Sequence, residues 1–491
     1  MLSFLRNNAI YIGWGIVILF VGTMFTGTVF LGLQGKSSSE KPQDLTGQIA
    51  VVGNTPVDKR KYAEVLNSLY NQYRSAGKSA SLSPNVVESL QFVAFQQALQ
   101  YTLLLKGAEA QRINVSGAEL DGAIDTILKQ YKLKDKGALK DLLKQNQYPY
   151  DEFEQGIRNE IMVRKFSGGL QSSVTVSERD VENKYSEVNI QHLLVMPKVS
   201  TTNNQDEQKK YDEEAQKKVL DIQKQIQNGL SFDEAAKTSS DDLATRPNGG
   251  QLGWVGVGKM VPEFEAVAFV LDQDEVSQPV RTAYGYHLIK LLDRREKRRP
   301  INLDIEKEKA AILKDKQQRA LQSYFSTILN TSKIQILDPS LEAFKAKSEG
   351  DFATAFGAYQ SLVSQNPTNP LPHYYIAKLY EQLGNLKNAK LELQKASIKG
   401  ELNKSMDLPI IHIELAGLYQ RDGNLSEAQK EYDKALTLSD ADMTSLETLL
   451  GIFKKRGDAG KVRATRAKIT TLKLKLAPSA TPTTTAPPAA R

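Results

Sequence analysis

Cysteine is absent from all 491 residues of this chain, and tryptophan appears only twice. The first absence excludes an anchor built on a lipid-modified cysteine, while leaving open the side of the membrane on which the chain works. The formal charge is +7, yet no basic stripe interleaved with stacking aromatics and no zinc-ligand spacing accompanies it, so nucleic acid is not the expected partner and no metal is. Between Asn7 and Gly35 every charged side chain is missing, and Ile10 to Leu33 is mostly aliphatic, aromatic or glycine. That stretch is long enough to cross a bilayer as one helix, and the prediction is a transmembrane anchor over 9–34. A cleaved secretory signal is the alternative, but the run is longer than such signals and has no A-x-A-like site. Arg6 lies before it and Lys36 and Lys41 after it, so charge asymmetry does not orient it.

What is present divides into blocks. The length calls for three or four folded units. The tail from Ala477 to Arg491 is proline, threonine and alanine, a composition that buries no core, and is expected to be disordered. Arg294 to Arg299 is the densest charged run and reads as a solvated linker.

Residues 44–187 read as mainly α. Gln48 to Val52 alternates as a short strand, Gly53 and Asn54 turn it, and Asp58 to Arg74 has helical composition. Pro84 suits a first helical position, and Val87, Leu90, Ala94, Ala98, Tyr101 and Leu105 recur at helical steps as one packing stripe. Ser116 with Glu119, and Ser177 with Asp180, have the spacing of capping boxes. No catalytic cluster stands in this block.

From 188 to 293 the pattern becomes α+β: a strand from Asn189 to Met196, a long polar helix, a short helix Phe232 to Lys237 capped by Ser231 and Glu234, a Gly-rich loop, another short helix and two strands, the last from Tyr286 to Leu292. Read alone, Leu252, Met260 and Phe264 are core, Asp242 is a turn acid, and His192 and His287 are structural.

In order, however, the chain carries His192-Leu193-Leu194, Ser240-Asp241-Asp242, the GGQLGW of Gly249 to Trp254, the GKMVPEFE of Gly258 to Glu265 and the YGYH of Tyr284 to His287. This series resembles the parvulin family of peptidyl-prolyl cis/trans isomerases along the whole module. The resemblance implies that His192 and His287 are the family's histidine pair, that Asp242 stands where parvulins have Cys or Asp, and that Thr282 bonds within the pair. It makes Leu252, Met260 and Phe264 the apolar floor under a proline ring. Tyr284, set against substrate, departs from the Ser of phosphate-directed members, and Pro197 to Glu207 offers only Lys198, so phosphorylated substrates are not expected. No cofactor is implied. The preceding block, a strand, a turn and amphipathic helices, is similar in pattern to the N-terminal domain of SurA-, PrsA- and PpiD-type chaperones. In such proteins the segment after the isomerase returns to that domain, which assigns this role to 300–338 here.

Gly350-Asp351, Gly384-Asn385, Gly423-Asn424 and Gly457-Asp458 recur 34, 39 and 34 residues apart. A 34-residue period is that of tetratricopeptide repeats, placing an all-α solenoid over 341–476. Ala355, Ala389 and Ala428 follow the first three glycines, with Tyr359, Leu393 and Tyr432 four residues on; Val462 replaces the alanine in the fourth, as suits a capping repeat. Such repeats bind a protein partner or serve as a spacer. The fold expected is therefore multidomain: a transmembrane helix, a mainly α chaperone domain, an α+β parvulin domain and the repeats. The function expected is isomerisation and chaperoning of unfolded exported polypeptides at X-Pro bonds, outside the cytoplasmic membrane, an orientation that comes from the resemblance. A silent holdase and a tethered scaffold are the rival readings.

Overall fold

The computed structural model describes residues 47–75, 82–198 and 205–476. The expected span at 9–34 and tail at 477–491 lie outside these, and among the described residues no helix is long and apolar enough to cross a membrane. By their internal contacts, 47–62 with 96–335 form one unit, and 63–95 with 336–476 form another.

The chain enters through β1 (Ala50–Val52) and β2 (Thr55–Pro56), then α1 (Lys59–Ser75) and α2 (Pro84–Ala110). The single stripe expected on α2 understates its burial. Phe95, Leu99, Leu103 and Leu104 are buried as well as Ala94, Ala98 and Tyr101. A helix enclosed by neighbours needs no polar face, so periodicity reports only part of it. Next come α3 (Gly117–Gln130), α4 (Lys136–Gln145), α5 (Tyr150–Ser172) and α6 (Glu178–Lys184). Both capping boxes are present, at Ser116/Glu119 and Ser177/Asp180. Leu120, Ile124, Leu139, Leu143, Phe153 and Ile157 close a small core between α3, α4 and α5.

The α+β module is built on β3 (Ser186–Val195), followed by α7 (Gln205–Gln227), α8 (Phe232–Ser239), β4 (Gln251–Gly256), α9 (Pro262–Ala268), β5 (Val280–Thr282) and β6 (Gly285–Glu296). Its antiparallel sheet has the order β4-β3-β6-β5. Period-two alternation sends Leu193, Val195, Tyr286 and Leu288 beneath α7 and α8, and Val188, Ile190, Ile289 and Leu291 beneath α9. Both faces are thus covered, which is why β3 and β6 carry apolar runs. Two readings are corrected here. The glycine-rich stretch is a loop only in part: Gly249 and Gly250, at φ of 65° and 77°, turn ahead of β4, while Gln251 to Trp254 join the ladder opposite Asn189 to Gln191, with Gly253 at a φ of 73° inside it. The charged run begins inside β6, where Arg294 to Glu296 pair with Val188 to Ser186; Arg295 bonds Glu187 and lies 4.2 Å from the Trp254 ring centre, so its charge is engaged at the sheet edge.

The chain leaves through α10 (Ile305–Thr331) and β7 (Ile334–Ile336), which completes a sheet of order β2-β1-β7. Tyr324 of α10 meets Phe166 of α5 edge-on at 5.2 Å, and its hydroxyl donates to the Leu103 carbonyl.

In the second unit, α11 (Pro339–Glu349), α12 (Phe352–Gln365), α13 (Leu371–Gln382), α14 (Leu386–Leu402), α15 (Pro409–Arg421), α16 (Leu425–Leu438), α17 (Met443–Lys455) and α18 (Ala459–Leu476) pack as four successive pairs. Every pair turns alike. Gly350, Gly384, Gly423 and Gly457 have φ of 81°, 74°, 77° and 71°, the left-handed cap that glycine adopts without penalty. The next residue donates its N–H to the carbonyl five positions back, and its side chain then caps the following helix. Ala355, Ala389 and Ala428 are fully buried at the close approach of the helices. Two ties recur as well: His373 bonds Glu392 at 2.7 Å and His412 bonds Glu431 at 2.5 Å, each joining the helices of its pair.

Candidate active site

His192 sits on β3 and His287 on β6, diagonal neighbours on the sheet face that α9 covers. Their rings stack at 5.5 Å with 20° between planes, and the Phe264 ring stands edge-on to both, at 5.9 and 5.3 Å. The Nδ1 atoms face each other at 3.2 Å. His192 Nε2 lies 2.8 Å from Asp242 Oδ2, and His287 Nε2 lies 2.9 Å from Thr282 Oγ1.

The partners assign the protons. An ionised Asp242 only accepts, so His192 carries its proton on Nε2 and presents a lone pair at Nδ1. His287 must then hold its proton on Nδ1, leaving Nε2 to accept from the Thr282 hydroxyl. The Thr282 oxygen in turn accepts from the Tyr284 backbone N–H at 3.1 Å. The result is a chain of donors running in one direction, from Tyr284 N–H through Thr282, His287 and His192 to Asp242.

Electrostatics agree with two neutral imidazoles. Burial lowers the pKa of His192 against the pull of Asp242, and burial, joined by the repulsion between two protonated rings, pushes His287 down to about 3. At Asp242 burial acts upward, but hydrogen bonds from Thr245 and His192 outweigh it and hold the carboxyl below its usual value.

The local chain delivers Asp242 by extending the sheet. Ser240 Oγ accepts from Leu194 N–H, Asp241 N–H donates to the Leu194 carbonyl at 2.7 Å, and Asp241 Oδ2 accepts from Met196 N–H. Gly250 closes the same side. Its carbonyl accepts from His192 N–H at 2.8 Å, its φ is +77°, and a Cβ there would stand 2.0 Å from the His192 carbonyl oxygen. Only glycine fits.

All four residues expected to be catalytic, His192, Asp242, Thr282 and His287, therefore stand in one hydrogen-bonded row. Leu252 and Met260 are partly buried and pack with buried Phe264 on the same apolar cluster beside it. Tyr284 enters differently: its backbone joins the row while its side chain is 53% exposed. One participant escaped the sequence reading. Thr245 Oγ1 donates to Asp242 Oδ2 at 2.5 Å and lies 3.1 Å from His192 Nε2. Its signal was the turn spacing Asp-x-x-Thr, since Asp242 Oδ1 also accepts from Ala244 N–H.

Comparison with known proteins bears on this geometry. The family model of the PPIC-type PPIase domain matches residues 192–293, and that of the SurA-like N-terminal domain matches 1–167. The foldase protein PrsA of Caldanaerobacter subterraneus is 26% identical over 321 residues, 64% of this chain and 94% of its own length. PrsA of Geobacillus sp. is 39% identical over 26% of this chain and 46% of its own. The chaperone SurA of Burkholderia pseudomallei is 36% identical over 26% of this chain, a match spanning only 29% of that protein. A crystal structure of PrsA from Bacillus anthracis aligns at 26% identity over 46% of this chain and 95% of its own, with a TM-score of 0.21. Residues 192–293 are thus a PPIC-type, parvulin-class peptidyl-prolyl cis/trans isomerase domain, carried in one chain with the SurA-like N-terminal domain of residues 1–167.

Proposed function

We propose that the chain is a membrane-anchored foldase that binds unfolded exported polypeptides and turns their X-Pro bonds in the pocket beside His192 and His287. The observation that carries this reading is the directed hydrogen-bond row set against the apolar group of Leu252, Met260 and Phe264. An X-Pro bond rotates over a barrier of about 18–20 kcal/mol that arises from amide resonance, and no bond need break to cross it. A proline ring seated on Leu252, Met260 and Phe264 stays still while the acyl side turns. A dry pocket favours the twisted amide, which has lost its resonance charge separation. Asp242, ionised at the end of the row, orients the two imidazoles and supplies a fixed field beside the turning carbonyl. The histidines hold shape and polarity; both are neutral near pH 7, and proton transfer is not required.

In the same reading the stretch 9–34 is the anchor, with the bulk of the chain outside the cytoplasmic membrane. The 34-residue period and the four identical turns support tetratricopeptide repeats over 341–476, available to a protein partner. Residues 44–187 with 300–338 form the chaperone part.

Protease-coupled isomerisation of a proline tetrapeptide by the full chain in detergent tests the reading. Catalysis that falls in both Asp242→Ala and Met260→Ala supports it, and a well-folded parent without catalysis overturns it.

A further inference from the structure

Helix α10 lies outside the stretch matched by the isomerase family, yet one face of it holds both rims of the pocket. Glu265, buried at the heart of α9, accepts through Oε1 from the backbone N–H groups of Gly258, at 2.7 Å, and Met260, at 2.9 Å. Its other oxygen receives Arg319 Nη1 at 2.6 Å, and the same nitrogen lies 3.3 Å from the Met260 carbonyl. Arg319 is itself largely buried and has Asp315 Oδ2 3.1 Å from its Nε. One turn along, Ser323 bonds Glu263, and seven residues further Asn330 Nδ2 donates to the Ala283 carbonyl at 3.1 Å, between Thr282 and Tyr284. Arg319, Ser323 and Asn330 are spaced by four and seven and so share one helical face.

We propose that Arg319 is a positioning residue of the isomerase: by holding Glu265 and the Met260 carbonyl together it fixes the loop that presents Met260 to the proline ring, so the proline seat is completed by the helix after the domain. The proposal rests on the reading of Met260 as part of that seat. A guanidinium is suited to the task because Nη1 carries two N–H donors in a fixed plane, one for the Glu265 carboxylate and one for the Met260 carbonyl. The backbone of Met260 is bound on both sides, its N–H by Glu265 and its C=O by Arg319, which leaves the loop little freedom while the link lasts. A displacement of an ångström at such a contact is enough to weaken catalysis about tenfold or more.

The test compares Arg319→Ala, Arg319→Lys, Met260→Ala and the double variant Arg319→Ala/Met260→Ala, all in the full chain, by tetrapeptide isomerisation and by suppression of aggregation of an unfolded client. Arg319→Ala is expected to lose about tenfold in kcat/KM, chiefly through KM, with Arg319→Lys recovering part of it and client holding unchanged. The double variant should lose less than the product of the single losses, because both changes act on one seat. Arg319→Ala within twofold of the parent while Met260→Ala is impaired overturns the proposal and leaves the pocket intact. Met260→Ala with full activity overturns the pocket reading instead. Should Arg319→Ala not fold, Arg319→Gln, which keeps one donor for Glu265, is judged by the same criterion.

Discussion

His192 and His287 meet nitrogen to nitrogen at 3.2 Å, and a contact of this kind holds only when one imidazole donates and the other accepts. Doubly protonated rings would repel across it. The pair is therefore a sensor of its own flanking groups, Asp242 at one end and Thr282 at the other.

Asp242→Asn should break the order of this row, because the amide can offer a donor where His192 Nε2 also donates. A fall in kcat/KM of about 10- to 100-fold is expected, with unchanged far-UV dichroism. Imidazole nitrogen NMR should find His192 protonated at Nε2 in the parent and shifted toward the other tautomer in the variant; identical spectra would refute the assignment.

Acid should weaken the domain through His287. Its folded pKa of about 3 lies below the ordinary histidine value near 6.5, so between these limits the unfolded chain binds more protons and stability falls as pH falls. The slope from this one group approaches about 1.4 kcal/mol per pH unit. Urea midpoints measured from pH 7 to 4 should decline less steeply in His287→Gln, and isomerase activity should stay level from pH 8 to 6.5.

Gly250→Ala places a methyl group 2.0 Å from the His192 carbonyl at a φ of +77°. A loss on the order of 3 kcal/mol is expected, with the sheet edge and the activity disturbed together. A thermal midpoint equal to the parent's would show that the β3 edge yields more readily than its hydrogen bonds imply.

The fully buried His412 stands between Asp407, at 2.8 Å, and Glu431. Burial opposes its charge, but the two carboxylates outweigh burial and raise its pKa. Its contribution is accordingly complete below pH 6.5 and fades as pH rises through the folded value. His412→Ala removes the imidazole shared by Asp407 and Glu431, leaving Glu431 to Lys434 at 3.1 Å, and should cost about 3 kcal/mol, seen as faster amide exchange in α15 and α16.

How far the chain could be read in advance depended on whether local pattern or distant contact decided a feature. The four Gly-Asp/Asn turns are local, each a left-handed cap and an N-cap in adjacent residues, and their period was visible at once. His192, Asp242, Thr282 and His287 were found because their motifs keep a fixed order. Strand β4 is hidden because Gly249, Gly250 and Gly253 all keep a positive φ, the mark of a turn, and only pairing with the distant β3 makes a strand of the residues around Gly253; the charged end of β6 reads as a linker because Glu187, far away in sequence, neutralises it. Thr245 and Arg319 carry no periodic signature, since each is defined only by what the fold brings beside it.

The stretch Pro84 to Phe95 belongs to the same unit as the helix pairs, and Glu88 within it is inaccessible to water. Lys347 and Tyr359 both bond its carboxylate, the Pro84 carbonyl accepts from Tyr375, and Phe92 packs 5.0 Å from Phe344. Cutting the gene after residue 340 would thus be no clean amputation. It would strand a carboxylate whose paired Lys347 lies in the discarded part, and strip apolar cover from a segment that the family comparison counts with the N-terminal domain. A phenotype from such a truncation reports damage at residues 84–95 as readily as a missing partner, and substitutions confined to exposed positions such as Leu391 and Leu425 are the sounder instrument.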